Sequence, residues 1–480
     1  MMVSIVITAR NYSMYLKECI DSCIAQTVKA KEIIYSDDCS DDDSLKIARA
    51  SRIKVIKHNK HVGVVQARND GADASTGDYL IFVDGDDILD KDYIKNMIEV
   101  LDKNTVVVYG LSKYFGLENK LYDYNCERRD MLWKQNYCNS SSLIRRTSFY
   151  EAGMWQENDY NTHWDWHLFL RMSRLGKFKK SRALLNYRKH ELSNLRKKNQ
   201  EYKLSFNDVR SNIVRSEVRM TIGLVYSGRI ENFMSYWMNE LCNDISFLKN
   251  KPQLIVINNS GLDLYLDNWI NKFSEIRIIT GNSESMNTIE KRPLLSKLLS
   301  DAYNTILENA SGELVHMRED DNTCTEGSFK KLFDYITNVS NDASAVAGLY
   351  LSRHQKRIVG GYYDNKVELI EEKDVKPKPI QVDFTGTGCI LFWKDICPKY
   401  TAETDFGNKS HDWAWSLSLK KLGGKIIILS DAISRHHLTI DRFLVPNLNM
   451  DINDTVIPSL THTRITDRIE RNKQCTIIKN

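Results

Sequence analysis

The amino-acid sequence predicts an α/β fold class, with two domains of that class in tandem, and three observations support this prediction. The chain has 480 residues, which is more than one compact core usually contains. Short apolar strand patterns alternate with amphipathic helix patterns in both halves, and such alternation is typical of mostly parallel sheets covered by helices. Residues 77–86 also align without a gap with residues 312–321, so the second half repeats the first.

The repeat combines a glycine turn, an apolar strand and a cluster of acidic residues, and it continues beyond the strand. Asp165 and His190 in the first half correspond to Asp412 and His437 in the second, and both pairs are 247 positions apart. A strand-end acid pair, a later aspartate and a later histidine, each present twice, predict two metal-dependent sites in one chain.

The elements of the first half follow one another in the order expected for a parallel sheet. The predicted strands are Val3–Thr8, Glu32–Ser36, Lys54–Ile56 and Tyr79–Val83, and the predicted helices are Tyr12–Gln26, Ser44–Arg52 and Val64–Ala74. Ligands of such sheets bind beyond the carboxyl ends of the strands. Residues 84–87 follow the last of these strands, so we expect them at the ligand-binding edge.

A second alternation begins after a polar segment. Its predicted strands are Thr221–Tyr226, Gln253–Ile257 and Leu314–Met317, and its predicted helices are Glu231–Ile245 and Leu294–Asn309. We therefore predict a first domain over 1–195, a helical connector over 196–219, a second domain over 220–440 and a C-terminal tail over 441–480.

Composition narrows the function classes. Hydrophobic residues make up 42% and charged residues 27% of the chain, as in an ordinary globular protein. A net charge of +4 is too small to indicate a nucleic-acid partner by itself. No apolar run approaches the length of a membrane span. With no basic leader and no Cys-x-x-Cys pair, we expect a cytoplasmic protein, and peripheral contact with the inner face of the membrane stays open.

Asp84-Gly85-Asp86-Asp87 is the first motif that carries chemistry. Carboxylates clustered after a buried strand repel one another unless a cation lies between them, and Mg²⁺ or Mn²⁺ commonly bridges such groups to substrate phosphates. The alternative is a solvated turn whose acids cap a helix over Lys91–Leu101. Taken alone, the triplet favours that alternative, so the neighbouring motifs have to decide.

Three further motifs precede these acids, namely Thr8-Ala9-Arg10-Asn11, Asp37-Asp38-Cys39-Ser40-Asp41 and Gln66-Ala67-Arg68-Asn69. In this order the motifs resemble glycosyltransferase family 2, whose members use nucleotide sugars and have the GT-A fold, and the resemblance covers residues 3–195. It implies that Thr8 and Arg10 line the nucleotide pocket and that Asp37 or Asp38 accepts a hydrogen bond from the base, usually uracil. It also implies that Arg68 approaches the diphosphate, with Asn69 counted among the donor-binding residues, and that Asp84 and Asp86 hold ribose, sugar and metal.

His163-Trp164-Asp165-Trp166 contains the candidate catalytic base. Glycosyl transfer with inversion needs a group that takes the proton from the acceptor hydroxyl, and a positioned carboxylate can do this. The family has an acid-Asp pair here, whereas this chain has Trp164 in place of the first acid and keeps Asp165. Asp165 could equally be the N-cap of the following helix, or serve in both ways.

Arg188 and His190 close the set in the first half. The resemblance implies a late metal or diphosphate contact at His190, since neutral imidazole is an acceptable Mn²⁺ ligand. Arg188 could bind phosphate through two hydrogen bonds. A structural histidine is the alternative, and its recurrence at His437 favours the functional interpretation.

The second half resembles the same superfamily less closely. In the repeat, Arg229 occupies the position of Arg10, and Asn258-Asn259 replaces the Asp37-Asp38 pair. Ala302-Tyr303-Asn304 corresponds to Ala67-Arg68-Asn69, so the second half has no arginine at the position expected to face the phosphates. Arg292, Lys297 and Arg318 are candidate substitutes. The remaining predicted site residues are Asn259 and Asn304 for the donor, Glu319 for donor and metal, Asp321 and His437 for the metal, and Asp412 as the base.

These observations predict a bifunctional, inverting glycosyltransferase. Each domain would bind a nucleotide sugar, in the first instance a UDP-sugar, with Mn²⁺ or Mg²⁺, and would transfer the sugar to a hydroxyl of a growing glycan. The first alternative is one active domain with a second that only binds the acceptor. A transferase acting on hydroxymethylated DNA stays open, although no basic stripe with interleaved aromatic residues supports it. Nucleotidyl transfer is disfavoured, because Thr8–Asn11 lacks the glycines of that chemistry.

Overall fold

The chain divides into two α/β units, Met1–Glu217 and Val218–Asn480. The computed structural model describes residues 1–124, 129–158, 163–191, 205–228, 233–281, 292–338, 342–349, 360–364, 366–370, 375, 378–386, 388–400, 411–439, 442–444 and 475–478. Among these residues, no helix is both long and apolar enough to cross a membrane.

The first unit is built on one mixed sheet. Its strands are β1 (Val3–Ala9), β2 (Glu32–Asp37), β3 (Lys54–Lys57), β4 (Tyr79–Asp84), β5 (Ile88–Leu89), β6 (Thr105–Gly116), β7 (Lys120–Tyr122), β8 (Leu143–Arg145) and β9 (Lys177–Lys189). The order is β3-β2-β1-β4-β8-β6-β9-β5, with β7 paired to β6. Strands β1 to β4 pair in parallel, so their carboxyl ends meet at one edge, where Thr8 lies opposite Asp84 and Ala9 opposite Asp37.

Helices cover this sheet through apolar faces. They are α1 (Ser13–Ile24), α2 (Ser44–Ala50), α3 (Val64–Asp73), α4 (Tyr93–Ile98), α5 (Arg129–Lys134), α6 (Arg146–Glu151), α7 (Trp164–Met172) and α8 (Phe206–Glu217). Helix α1 buries Leu16, Cys19, Ile20 and Cys23, which is the spacing of one helical face. Helix α3 lies very close to β1, because a Cβ at Gly71 would be 2.3 Å from a methyl group of Val6.

Helix α8 lies within the first unit and packs against α7. The Glu217 carboxylate contacts His167 at 2.7 Å, Arg171 at 3.3 Å and Arg174 at 3.5 Å. Burial opposes ionisation of Glu217, but these three partners outweigh it and lower its pKa. The predicted boundaries at 195 and 219 stay predictions, and residues 192–204 lie outside the described residues.

The second unit has the same plan with more antiparallel strands. Its strands are β10 (Met220–Tyr226), β11 (Gln253–Asn258), β12 (Glu275–Thr280), β13 (Leu314–Glu319), β14 (Asn322–Cys324), β15 (Ala345–Leu349), β16 (Gly360–Asp364), β17 (Lys366–Leu369), β18 (Ile380–Val382), β19 (Phe384–Thr385), β20 (Cys389–Trp393), β21 (Ile426–Thr439), β22 (Arg442–Leu444) and β23 (Cys475–Ile478). The main order is β14-β21-β15-β20-β13-β10-β11-β12-β23, with β18 and β22 paired to β21 and β17-β16-β19 as a separate sheet.

The helices of the second unit are α9 (Phe233–Asp244), α10 (Arg292–Asn309), α11 (Ser328–Ile336) and α12 (His411–Lys421), with 3-10 helices at Asp267–Lys272 and Lys394–Ile396. Strands β10, β11, β12 and β13 pair in parallel, and Val225 lies opposite Glu319 as Thr8 does opposite Asp84. The predicted fold class, two tandem α/β domains, is confirmed. In the predicted tail, Cys475–Ile478 adds an edge strand to β12 and Arg442–Leu444 pairs with β21, and the other tail residues lie outside the described part of the chain.

Candidate active sites

The strand-end acids of the first unit lie beside a buried arginine. Arg68 Nη2 donates to Asp84 Oδ1 at 2.6 Å, and the guanidinium lies 4.6 Å from the centre of the Trp155 ring. Arg68 is 4% exposed, and no described residue accepts a hydrogen bond from its buried Nε. Thr8 Oγ1, opposite Asp84 in the sheet, is likewise buried without a hydrogen-bond partner among the described residues. Two buried polar groups that lack a hydrogen-bond partner among the described residues therefore lie at the sheet edge where the sequence predicts the nucleotide sugar to bind.

Asp86 and Asp87 crowd the same edge. Asp86 Oδ2 contacts His190 Nε2 at 2.8 Å, and burial followed by the Asp84 charge raises the pKa of Asp86. Burial, with Asp86 and then Asp84, raises the pKa of Asp87 well above its usual range, and no described residue donates to its buried Oδ2. A cation would relieve the repulsion between these carboxylates, and carboxylate oxygens are the ligands that a hard divalent ion prefers.

The predicted metal ligands of this unit do not converge on one point. Asp84 is turned to Arg68, whereas Asp86 is turned to His190. Among the described residues, no three His, Cys, Asp or Glu side chains come together as a set that could hold a metal ion. A cation at this edge would therefore replace one or both of these ion pairs.

Arg188 is tied to the same cluster. Its Nη2 contacts Glu18 Oε2 at 2.6 Å, its Nε donates to the Asp86 carbonyl at 2.9 Å and its backbone N–H donates to Asp87 Oδ1 at 2.9 Å. Together with Tyr15 and His190, Arg188 lines a cavity of about 430 Å³ that the residues Met14, Gly116, Leu117, Lys189 and Glu191 complete. The structure thus joins Arg188 to the predicted donor edge.

Asp37 and Asp38 lie near Thr8, but their oxygens already have protein partners. Asp37 accepts from the Tyr35 hydroxyl at 2.9 Å and from the Ser40 N–H at 3.0 Å. Asp38 Oδ1 accepts from the N–H groups of Val62 and Gly63, and its Oδ2 contacts His61 at 2.8 Å. Both carboxylates therefore hold neighbouring loops in place, and a base would have to share them. Arg10 is exposed just beyond β1.

Asn69 has a structural position beside Arg68. Its side-chain amide donates to the Trp155 carbonyl at 3.0 Å and accepts from the Trp155 N–H at 3.2 Å. We call this pair of hydrogen bonds the amide clamp. It fixes the tryptophan on which Arg68 stacks, so Asn69 positions the arginine.

Asp165 lies in the first turn of α7. Its Oδ1 accepts from the Trp166 N–H at 2.8 Å and its Oδ2 from the Asn136 amide at 3.1 Å. Burial raises the pKa of Asp165 against these hydrogen bonds and the charges of Arg68 and Arg210. An oriented carboxylate with a raised pKa is suited to accept a proton. Sequence reasoning missed Asn136, which no motif marks.

The second unit repeats the amide clamp. The Asn304 side chain donates to the Tyr400 carbonyl and accepts from the Tyr400 N–H, both at 2.8 Å. The ring of Tyr303, which replaces Arg68, lies 4.9 Å from the Tyr400 ring. Asn69 and Asn304 therefore make equivalent hydrogen bonds to the backbone. The second unit has no charged side chain at Tyr303, the position of Arg68.

The strand-end acids of the second unit are held by polar neighbours. Asp320 Oδ2 accepts from the backbone N–H of Ser227 at 2.7 Å and from its hydroxyl at 2.6 Å. The Asn322 amide donates to Glu319 Oε2 and to Asp321 Oδ1, each at 3.2 Å. Glu319 and Asp321 thus share one amide donor, and their role as metal ligands stays a prediction.

His411 is a residue that sequence reasoning missed. Its Nε2 contacts Asp412 Oδ1 at 2.8 Å, and its ring stacks on Tyr303 with the centroids 5.4 Å apart. Burial lowers the pKa of His411, but Asp412 and then Glu319 outweigh it, so the net pKa is raised. The signal was available, because His411 corresponds to Trp164 in the repeat.

The remaining predictions for the second unit have mixed outcomes. Asn259 is buried beyond β11, where its backbone N–H donates to the Tyr226 carbonyl at 2.8 Å. Arg229 lies outside the described residues; His437 belongs to β21, but its side chain is not described. Arg318 as a phosphate contact is wrong, because this side chain is 1% exposed and pairs internally with Asp244 at 2.5 Å.

The first unit is similar in sequence to known glycosyltransferases. Residues 4–173 match the family described as Glycosyl transferase family 2. Glycosyltransferase GlyG of Streptococcus pneumoniae serotype 4 (strain ATCC BAA-334 / TIGR4) is 30% identical over 164 residues, which are 33% of this chain and 52% of GlyG. The uncharacterized glycosyltransferase EpsJ of Bacillus subtilis (strain 168) is 36% identical over 118 residues, which are 24% of this chain and 34% of EpsJ. The chain thus spans 52% of the length of GlyG and 34% of the length of EpsJ.

One solved structure with a similar arrangement is that of S. aureus TarS 1-349 in complex with UDP-GlcNAc. It covers 71% of this chain and 89% of the TarS chain, with 13% identity and a TM-score of 0.38. At that TM-score the similarity supports no conclusion about the site.

Proposed function

From the premise that residues 4–173 are a glycosyltransferase family 2 domain, we propose that the whole chain is a bifunctional inverting glycosyltransferase. Each unit uses a nucleotide sugar, in the first instance a UDP-sugar, and transfers its sugar to a hydroxyl of a growing glycan. The observation that carries this proposal is that both units contain the same constellation. Each has strand-end acids, an amide clamp next to them and an aspartate in the first turn of a later helix.

In the first unit, Arg68 and Thr8 bind the donor. The buried Nε of Arg68 and the buried Thr8 hydroxyl have no hydrogen-bond partner among the described residues, and such groups are costly unless a ligand satisfies them. A diphosphate oxygen suits the guanidinium, which donates in a fixed planar geometry. Trp155 and the amide clamp keep Arg68 in place.

Asp84, Asp86 and His190 would hold a divalent cation that replaces the ion pairs of Asp84 with Arg68 and of Asp86 with His190, with Asp87 behind them. Burial, and then repulsion from the neighbouring carboxylates, raise the pKa values of Asp86 and Asp87, and a cation would remove the repulsion. When bound, Mn²⁺ or Mg²⁺ supplies positive charge that neutralises the donor phosphates.

Asp165 takes the proton from the acceptor hydroxyl. The acceptor oxygen forms a bond to the sugar carbon on the face opposite the diphosphate, and the bond from that carbon to the diphosphate breaks, so the configuration inverts. Asn136 and the Trp166 N–H orient the carboxylate. Burial raises its pKa and makes it a stronger base than an exposed aspartate.

In the second unit, Asp412 is the base, Glu319 and Asp321 would hold the metal ion, and the His411 imidazole takes the place of the Arg68 guanidinium. His411 stacks on Tyr303, the residue at the position of Arg68, and its pKa is raised by Asp412 and Glu319 in spite of burial. The basic side chain therefore lies on helix α3 in the first unit and at the start of helix α12 in the second.

A single active domain with a second that only binds the acceptor is the alternative. The absence of an arginine at Tyr303 favours it. The deciding experiment screens a panel of nucleotide sugars with Mn²⁺ for release of free nucleotide by the full chain. We expect turnover of two donors, or of one donor by two separable activities; turnover that Asp86→Ala abolishes completely would leave only the alternative.

A further inference from the structure

Five tyrosines form a continuous row on the first unit. Their ring centroids follow one another from Tyr187 to Tyr114 at 5.0 Å, to Tyr122 at 4.4 Å, to Tyr124 at 5.7 Å and to Tyr137 at 5.4 Å. They come from β9, from the β6–β7 hairpin and from the segment after α5. We call this set the tyrosine row.

The tyrosine row extends from the strand-end acids to the candidate base. At one end, Tyr187 precedes Arg188, whose backbone N–H donates to Asp87 Oδ1 at 2.9 Å. At the other end, Tyr137 follows Asn136, whose amide binds Asp165 at 3.1 Å. A ligand lying on the row would therefore pass directly by the site of transfer.

The surroundings of the row differ from those of a packed core. Tyr114, Tyr122, Tyr137 and Tyr187 are half-buried, and Tyr124 is 36% exposed. The hairpin that carries the middle of the row also exposes Leu117 and Leu121. Aromatic rings that only stabilise a fold are usually buried, as Tyr303 and Tyr400 are in the second unit. Stability alone therefore does not account for this surface.

Two lysines add hydrogen-bond donors to the row. The Lys189 ammonium lies 4.3 Å from the centre of the Tyr114 ring and 4.7 Å from that of Tyr187, and the Lys120 ammonium lies 4.6 Å from the centre of the Tyr122 ring. Both ammoniums lie over rings of the row. Aromatic rings that contact the apolar face of a sugar, with ammonium groups over neighbouring rings that donate to its hydroxyls, are the chemistry that saccharides require.

We propose that the tyrosine row is the acceptor subsite of the first unit and that its ligand is an oligosaccharide lying along the rings, with the reactive hydroxyl at Asp165. The proposal rests on the proposed function of that unit, since it gives Asp165 the role of base. It goes further in locating the glycan acceptor on the tyrosine row, whose middle lies on the β6–β7 hairpin.

The test measures binding to the full chain, with Mn²⁺ and UDP present, of three probes: a neutral glucan hexasaccharide, an acidic glycosaminoglycan hexasaccharide and a thymidine hexanucleotide. Tyr122→Ala removes a half-buried ring and Tyr124→Ala an exposed one, and neither residue belongs to the proposed nucleotide-sugar site. Tyr265→Ala is the matched control, because Tyr265 is 68% exposed in the second unit. We expect at least one saccharide to bind, each row variant to weaken it about tenfold and the control to leave it unchanged.

Two outcomes overturn the proposal: no saccharide of the panel binds, or a saccharide binds with an affinity that the row variants leave unchanged. Binding of the hexanucleotide alone through the row overturns it as well, because aromatic rows also stack bases. Release of UDP from a nucleotide sugar without acceptor is measured in parallel. If that release is absent, the proposed function of the unit fails; if it persists while the row variants bind normally, only the acceptor assignment fails.

Discussion

The two units keep the same scaffold around their candidate sites and differ in which basic side chain lies there and on which helix. Asn69 and Asn304 make the same two hydrogen bonds, to the backbone of Trp155 and of Tyr400. Beside them, the first unit has Arg68 and the second has Tyr303, with His411 stacked on it.

This difference shows which parts of the constellation are free to change. The amide clamp fixes backbone geometry, so it survives in both units, whereas a charge can come from any element that reaches the same pocket. In the second unit that element is the start of α12, where His411 contacts Asp412, the candidate base, at 2.8 Å. The comparison predicts two donor sites with equivalent acids and non-equivalent cations.

The largest expected effect separates the two activities. Asp86→Ala should lower the first transfer by about a hundredfold to a thousandfold and spare the second, and Asp321→Ala should do the reverse, since each removes charge that stabilises the phosphates. Product analysis with each donor measures both. Asp21→Ala, at an exposed position paired with Lys17, is the control. Loss of both transfers in either variant would show that the two units do not contain separate active sites.

A large effect on stability should be confined to one unit. Glu217→Gln removes the charge that His167, Arg171 and Arg174 share, so the first unit should lose about 3 kcal/mol of unfolding free energy. Because the folded pKa of Glu217 is lowered, this stabilisation is present above the unfolded pKa of Glu and is lost as the pH falls through the folded value. Urea unfolding at neutral and acidic pH measures it; equal stability of variant and wild type would show that α8 does not anchor the unit.

A smaller effect tests the exchanged cations. Arg68→Ala and His411→Gln should each lower transfer by their own unit about tenfold to a hundredfold, because each removes one charge-assisted contact to the diphosphate. His411→Arg should keep the second transfer, whereas His411→Phe, which retains only the stacking, should lose it. If His411→Phe is as active as the wild type, the histidine serves only as a stacking partner.

The smallest effect should be the same in both units. Asn69→Ala and Asn304→Ala each leave a backbone N–H and a carbonyl without their partner, which costs about 2 kcal/mol. Hydrogen exchange of the two units, followed separately by mass spectrometry, reports the loss. A clear loss in one unit and none in the other would show that the two clamps are not equivalent.

Local patterns in the sequence predict much of this arrangement. The parallel strands, the strand-end acids and the correspondence of Asn69 with Asn304 follow from periodicity and from the repeat. The repeat also aligns His411 with Trp164, so the same comparison could have identified His411 as a candidate site residue.

The rest depends on contacts between distant segments. Arg318 lies on a strand with the expected polar spacing, but Asp244, 74 positions away, pairs with it inside the core. The oxygens of Asp38 bind the loop at Val62 and Gly63, 24 and 25 positions away. The tyrosine row needs β6 and β9 side by side, and no local pattern predicts that pairing.

The central claim is that each unit binds one nucleotide diphosphate together with a divalent cation. Calorimetric titration of the full chain with UDP in the presence of Mn²⁺ tests it most directly. We expect two binding sites, of which Asp86→Ala removes one and Asp321→Ala the other, and no uptake without the cation. A single site that Asp86→Ala abolishes and Asp321→Ala leaves intact would contradict the claim.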